Sequence, residues 1–183
     1  MLAMALLLAA PAQAAETSWR RVATDDDRRR LRQWRRAWVE ALASAGARTP
    51  PDPALFDPDR ALPDAMPPAG LYRCRTVKLG GRGGAPSFVA YPVFTCRVGA
   101  DGSFAKLDGS QRQVGRLYAD APTRAVFLGT LALGDERRAL RYGRDRDRDL
   151  AARVERIGER RWRMAFPYPH FESQLDVVEL TPA

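Results

Sequence analysis

Turn-forming residues divide the second half of the chain into short segments, and this spacing constrains the fold more than any other feature. From Gly70 onward, clusters of glycine, aspartate and proline recur at intervals of about ten residues, with apolar and β-branched residues between them. The segments between the turns are Leu71–Leu79, Phe88–Val98, Ser103–Leu107, Val114–Tyr118, Arg124–Leu133, Arg161–Tyr168 and Ser173–Leu180. Short strands at this spacing predict an antiparallel meander or barrel.

One stretch interrupts the β pattern, between residues 145 and 157. It starts with three aspartates, carries apolar residues on one helical face, and is followed by Gly158. These features predict a short helix before the last strands. The aspartates also resemble the start of a calcium loop, but Leu150 stands where that loop needs glycine and Arg156 where it needs glutamate. No metal site is predicted.

The N-terminal part predicts an amphipathic helix over Trp19–Ala47, within a unit spanning residues 16–48. Thr24 can cap the helix, and the aspartates that follow it suit the positive end of the helix dipole. The apolar stripe at helical spacing consists of Leu31, Trp34, Trp38, Leu42 and Ala45. We expect this stripe to pack on the sheet.

Residues 49–69 contain seven prolines, which exclude a long helix or a central strand. They predict a semi-extended connector between the helix and a β-rich body at residues 70–183. Helix and body form a single α+β domain in this interpretation. Its core is an antiparallel sheet or a small calycin-like β-barrel, with the N-terminal helix packed on it or across an open end.

Export is predicted from the N-terminus and from the two cysteines. Residues 1–15 combine an apolar run with Ala12-Gln13-Ala14, which is typical of a signal peptide and its cleavage site. Cys74 and Cys96 lie in neighbouring predicted strands, and an even cysteine count in an exported chain favours a disulfide. We therefore expect a periplasmic or secreted protein. No further apolar stretch is long enough to predict a transmembrane span.

The formal net charge is +8, and Lys78 and Lys106 are the only lysines among the 30 basic residues. A basic surface can attract nucleic acid. Arginine is, however, also enriched by a GC-rich genome, and acidic residues are interleaved with the arginines throughout. Together with export, this predicts no nucleic-acid partner; an envelope protein or a small ligand fits better.

The segment from Phe166 to Ser173 mixes aromatic residues, two prolines, an acid and the only histidine. Loops of this composition often carry recognition, although they also form bulged corners of barrels. Tyr168, His170, Glu172 and Ser173 are the predicted binding residues. On an extended strand His170 and Glu172 would lie on one face about 7 Å apart. No catalytic residue and no cofactor is predicted, and an enzyme using this pair is the less favoured reading.

Several runs of the sequence resemble an uncharacterised family of Gram-negative envelope proteins, domain of unknown function 4893. These runs are residues 26–38, 72–80, 91–97, 109–112, 127–134, 142–145 and 169–173. The resemblance implies an exported protein and no assigned activity. The leading hypothesis is therefore a binding or interaction module of the cell envelope, and the alternatives are a protease-inhibitor-like barrel and the enzyme above.

Overall fold

The computed structural model describes residues 18–49, 52–134 and 136–183, so the predicted signal peptide at residues 1–15 lies outside the described residues. Within these ranges one antiparallel sheet dominates the fold. Its strands are β1 (Gly70–Gly81), β2 (Phe88–Ala90), β3 (Phe94–Val98), β4 (Ser103–Lys106), β5 (Gln111–Ala121), β6 (Arg124–Leu133), β7 (Asp149–Gly158), β8 (Arg161–Pro167) and β9 (Ser173–Pro182).

The sheet closes on itself. From β3 to β9 each strand pairs with the next along the chain, and β1 pairs with β3 on one edge and with β9 on the other. The long β1–β9 pairing runs from Tyr72 opposite Pro182 to Gly81 opposite Ser173. The result is an eight-stranded antiparallel barrel, with short β2 pairing alongside the far half of β1. The predicted α+β barrel is confirmed.

The predicted short helix over residues 145–157 is wrong, because Asp149–Gly158 forms strand β7. Leu150 and Val154 are four residues apart, a spacing that places them on one face of a helix and also on one face of a strand. Pairing with both β6 and β8 decides in favour of the strand. The predicted strand Phe88–Val98 is likewise split into β2 and β3 around Pro92, which has no N–H for the ladder.

The predicted continuous N-terminal helix is also divided. It consists of α1 (Trp19–Val22), α2 (Asp25–Arg32) and α3 (Trp34–Ala45), followed by a 3₁₀ turn at Gly46–Arg48. Thr24 caps α2 as expected, since its side chain accepts a hydrogen bond from the Asp27 N–H. The breaks allow the segments to follow the curved barrel wall.

Two apolar layers result from the alternation of side chains along the strands. Inside the barrel, Phe127 makes edge-to-face contacts with Phe104 and Phe166, at centroid distances of 5.6 and 5.8 Å. Outside, Trp38 on α3 is fully buried in a layer that includes Val77 of β1. The predicted stripe of α2 and α3 therefore packs on the outer wall and not across an open end.

The connector closes one end of the barrel. After the short helix α4 (Pro53–Phe56), the Leu62 N–H donates to the carbonyl oxygen of Arg156, and the Tyr72 hydroxyl donates to that of Pro68 at 2.6 Å. Ala65 is buried against the interior core. The other end, formed by the loops before β3, β5, β7 and β9, stays open. No helix among the described residues has the length and apolar character needed to cross a membrane.

Candidate functional site at the open end of the barrel

A cavity of about 410 Å³ occupies the open end of the barrel, and we call it the mouth. Its apolar walls come from Phe94, Leu131, Leu150 and Phe166. Its polar groups include Lys78, Lys106, Asp108, Gln111, Gln113, Asp147, His170, Glu172 and Asp176. A cavity with apolar walls and a few convergent polar groups is the usual form of a small-ligand site.

Strand alternation places the polar groups in the mouth. Tyr72 and Cys74 of β1 belong to the interior core, and Lys78, an even number of residues further along, lies on the same face. Val178 and Leu180 of β9 are interior residues, so Asp176 points inward as well. The interior thus changes from apolar near the connector to a mixture of polar and apolar groups at the mouth.

Lys78 and two carboxylates form an ionic group in the mouth. The Lys78 Nζ lies 2.7 Å from Oε2 of Glu172 and 3.9 Å from Oδ2 of Asp176. The Ser173 hydroxyl donates to Asp176 at 2.5 Å. Burial raises the pKa of Asp176 to about 6, although Lys78 and Ser173 act in the opposite direction. Burial lowers the pKa of Lys78, but the two carboxylates outweigh it and the net direction is upward.

Lys106 differs from Lys78 because no carboxylate of the described residues lies within 4.0 Å of its ammonium. Its Nζ sits 4.0 Å from the centre of the Phe94 ring, a cation–π contact. Burial lowers the pKa of Lys106, and Arg112 and Lys78 add to this, against the opposing effect of Asp108. Lys106 is therefore a half-buried ammonium that has no carboxylate within ion-pair distance among the described residues.

The segment predicted to carry recognition is a bent loop rather than a strand. Tyr168 and Glu172 have positive φ values of 47° and 64°, so the 7 Å spacing expected for an extended chain does not apply. His170 and Glu172 both line the mouth. The His170 Nε2 lies 3.8 Å from Oδ2 of Asp26 on α2.

Tyr168 and Ser173 lie beside the mouth without lining it. The Tyr168 hydroxyl donates to Glu40 on α3 at 2.8 Å, which ties the loop to the outer helix. Ser173 is buried, and its hydroxyl donates to Asp176, which lines the mouth. The four predicted binding residues are therefore neighbours in space, but the structure gives them different positions.

Cys74 and Cys96 lie on the interior faces of β1 and β3, where both are fully buried. Their Cα atoms are 6.0 Å apart, and the sulfurs are at disulfide distance, as expected from the sequence. The pair ties together two neighbouring strands that continue to the mouth. No group of three His, Cys, Asp or Glu side chains in the described ranges is arranged to hold a metal ion.

Lys78, Lys106 and Asp176 were not identified as site residues from the sequence. One signal was available, since a chain with 30 basic residues has lysine at only two positions and both line the mouth. That pattern becomes informative only when the barrel places the two positions together.

Comparison with known proteins adds a family but no activity. A family model described as a domain of unknown function (DUF4893) matches residues 19–180. No curated protein and no solved structure matches the chain significantly.

Proposed function

This chain belongs to the DUF4893 family of domains of unknown function, and we propose that its barrel is a binding cup for a small amphipathic monoanion. The observation that carries the proposal is that the only two lysines of an arginine-rich chain both line the mouth. Lysine presents a compact ammonium on a flexible stem, which suits a confined site better than the broad guanidinium of arginine.

The surroundings of Lys106, rather than the total charge of the mouth, favour a ligand with one negative charge, since Asp108, Asp147, Glu172 and Asp176 line the same cavity. Lys78 already has Glu172 and Asp176 as neighbours, whereas Lys106 has no carboxylate within 4.0 Å among the described residues. A buried charge is costly unless it is paired. A ligand carboxylate beside Lys106 would supply the missing partner.

The walls of the mouth favour a ligand with an apolar body. Phe166, Leu131 and Leu150 line the mouth together with the charged groups, so an alkyl or aryl group can contact them while its anionic end stays near Lys106. The volume of about 410 Å³ is within the range typical of small-molecule sites. Gln111 and Gln113 add amide groups that can fix the orientation of a bound polar group.

Isothermal titration calorimetry with decanoate tests the proposal, with decyltrimethylammonium as the cationic counterpart. We expect decanoate to bind, and Lys106→Gln to weaken it about tenfold because a charge-assisted contact is lost. Arg116→Gln removes an equal charge from an exposed position on β5 and serves as the matched control. Equal binding of both amphiphiles, or no effect of Lys106→Gln, would contradict the proposal.

We also place the protein outside the cytoplasm, in the periplasm or secreted. This rests on the signal-peptide pattern of residues 1–15 and on a buried cysteine pair at disulfide distance, which is typical of oxidising compartments. N-terminal sequencing of the protein from fractionated cells is expected to start at Ala15 or Glu16. A cytoplasmic protein that retains Met1 would overturn this placement. The protease-inhibitor-like barrel and the enzyme using His170 and Glu172 remain untested predictions.

A further inference from the structure

A second concave surface lies on the outer wall of the barrel, and we call it the Arg–Trp groove. It has a volume of about 560 Å³ and runs between the N-terminal helices and strands β6 and β7. Leu31, Val126, Trp19 and Trp34 provide its apolar surface. Leu31 and Val126 are almost fully buried, whereas the two tryptophans are partly exposed. The groove can therefore accept an apolar group.

All charged residues that line the groove are arginines: Arg20, Arg28, Arg32, Arg124 and Arg153. This contrasts with the mouth of the barrel, where lysines and carboxylates are mixed. The carboxylates near these arginines do not balance their positive charge.

Arg20 and Arg124 share one carboxylate. Asp120 is buried beneath them and accepts hydrogen bonds from both guanidinium groups and from the indole N–H of Trp19. One negative charge thus faces two positive charges. This cluster leaves one guanidinium charge uncompensated.

Arg153 is part of a second shared arrangement. It donates to the buried Glu155 at 2.8 Å, and Glu155 also pairs with the fully buried Arg163. The Arg153 guanidinium stacks 3.8 Å from the centre of the Trp34 ring. Burial lowers the pKa of Arg153 against the opposing effect of Glu155, and the charges of Arg124 and Arg163 lower it further. An anion in the groove would relieve this crowding of like charges.

The remaining two arginines lie on α2. Arg28 pairs with the exposed Asp25 at 2.7 Å, so it adds little net charge. Arg32 is exposed, and no carboxylate in the described part of the chain lies within 4.0 Å of it. The cluster around Asp120, the cluster around Glu155 and Arg32 each contribute one uncompensated positive charge. The groove therefore has an excess of three guanidinium charges around its apolar surface.

We propose that the Arg–Trp groove binds a phosphate monoester with an apolar substituent. A phosphate monoester carries nearly two negative charges at neutral pH and offers three acceptor oxygens. Guanidinium groups bind such oxygens in pairs through parallel hydrogen bonds. The apolar substituent would rest on Leu31, Val126 and the tryptophans. Because the surface is concave, it suits a single soluble molecule rather than the plane of a bilayer.

Calorimetry of the full chain with octyl phosphate tests the inference, with inorganic phosphate and octanol as partial ligands. Octyl phosphate is expected to bind at least about tenfold more tightly than either, because it alone has both the dianion and the apolar chain. Arg32→Gln should weaken octyl phosphate by about tenfold. Arg21→Gln removes the same charge from an exposed position on α1 that does not line the groove, and should change affinity less than about twofold.

Two further measurements distinguish binding in the Arg–Trp groove from binding in the mouth and from binding to a membrane surface. Lys106→Gln should leave octyl phosphate binding unchanged, so that failure at the mouth and failure at the groove can be told apart. Loss of octyl phosphate binding in Lys106→Gln but not in Arg32→Gln would assign the ligand to the mouth and overturn the inference. Binding to vesicles of phosphatidic acid without binding of octyl phosphate would also overturn it, in favour of a membrane surface.

Discussion

Lys78 and Asp176 face each other across the pairing of β1 with β9, and the Lys78 ammonium lies 3.9 Å from the Asp176 carboxylate. In spite of this neighbour, burial raises the pKa of Asp176 from 3.8 to about 6. The ionised form of Asp176 is therefore held in the mouth at the expense of stability. Titratable groups with a shifted pKa that lie in a cavity are typical of functional sites.

The raised pKa predicts how Asp176 affects stability with pH. Between about pH 4 and 6 the folded state retains a proton that the unfolded state has lost, so this group makes the protein less stable as pH rises through that window. The full effect at pH 7.5 is at most about 3 kcal/mol. Asp176→Asn removes the charge and can still accept the Ser173 hydrogen bond.

Asp176→Asn changes the free energy of unfolding at each pH. We expect this change to be about 1 to 3 kcal/mol more stabilising at pH 7.5 than at pH 4. Urea denaturation at both pH values measures this. Asp101→Asn is the control, because Asp101 is exposed and hydrogen bonds to Ser103 lower its pKa; it should give no gain at pH 7.5. If Asp176→Asn stabilised the protein no more at pH 7.5 than at pH 4, the Lys78 interaction would outweigh burial.

Trp38 anchors the helical layer to the barrel wall. Its side chain is fully buried, and the Arg163 guanidinium lies 5.0 Å from its ring centre. Trp38→Ala should lower the free energy of unfolding by about 3 to 5 kcal/mol through lost burial and a remaining cavity. Val39→Ala, at the neighbouring and largely exposed position, should change it by less than about 0.5 kcal/mol. Similar values for the two variants would mean that α3 contributes little to stability.

Arg163 links the connector to the barrel, and its guanidinium group uses all of its donors. Besides Glu155, it donates to the carbonyl oxygens of Leu55, Asp57 and Arg60. Arg163→Lys cannot replace this set of bonds, so we expect a loss of about 2 to 5 kcal/mol in urea denaturation. Arg160→Lys, at an exposed position in the β7–β8 turn, should be nearly neutral. A neutral Arg163→Lys would contradict this role of the guanidinium bonds.

The fold was largely predictable because local signals agreed with it. Glycine and aspartate turns delimited β1 and β6 closely, and the Thr24 cap was recognised from its sequence. Strand β7 was missed because Leu150 and Val154 fit both helical and strand periods, and only pairing with β6 and β8 distinguishes them.

The site was less predictable, since it depends on long-range pairing. The composition of the loop at residues 168–172 indicated a surface segment, and four of its residues line the mouth, among them the predicted His170 and Glu172. The opposition of Lys78 and Asp176 follows from the register of β1 against β9. A shift of one residue would turn one of the two side chains to the outer face. Periodicity within a single strand does not fix that register.

Substitution of the loop residues His170 and Glu172 tests whether the loop contributes to ligand binding or to the stability of the barrel. Glu172 is about half exposed, with 52% side-chain accessibility, and pairs with Lys78; exposed pairs contribute about 1 kcal/mol or less. The double variant His170→Ala/Glu172→Ala should therefore unfold at nearly the wild-type urea concentration. Decanoate should bind it several-fold more tightly, because Lys78 then keeps only Asp176 as a neighbour. Glu159→Ala removes a carboxylate from the β7–β8 turn at the opposite end and should change neither quantity. A loss of several kcal/mol in the double variant would instead mean that the loop holds the barrel corner through buried hydrogen bonds.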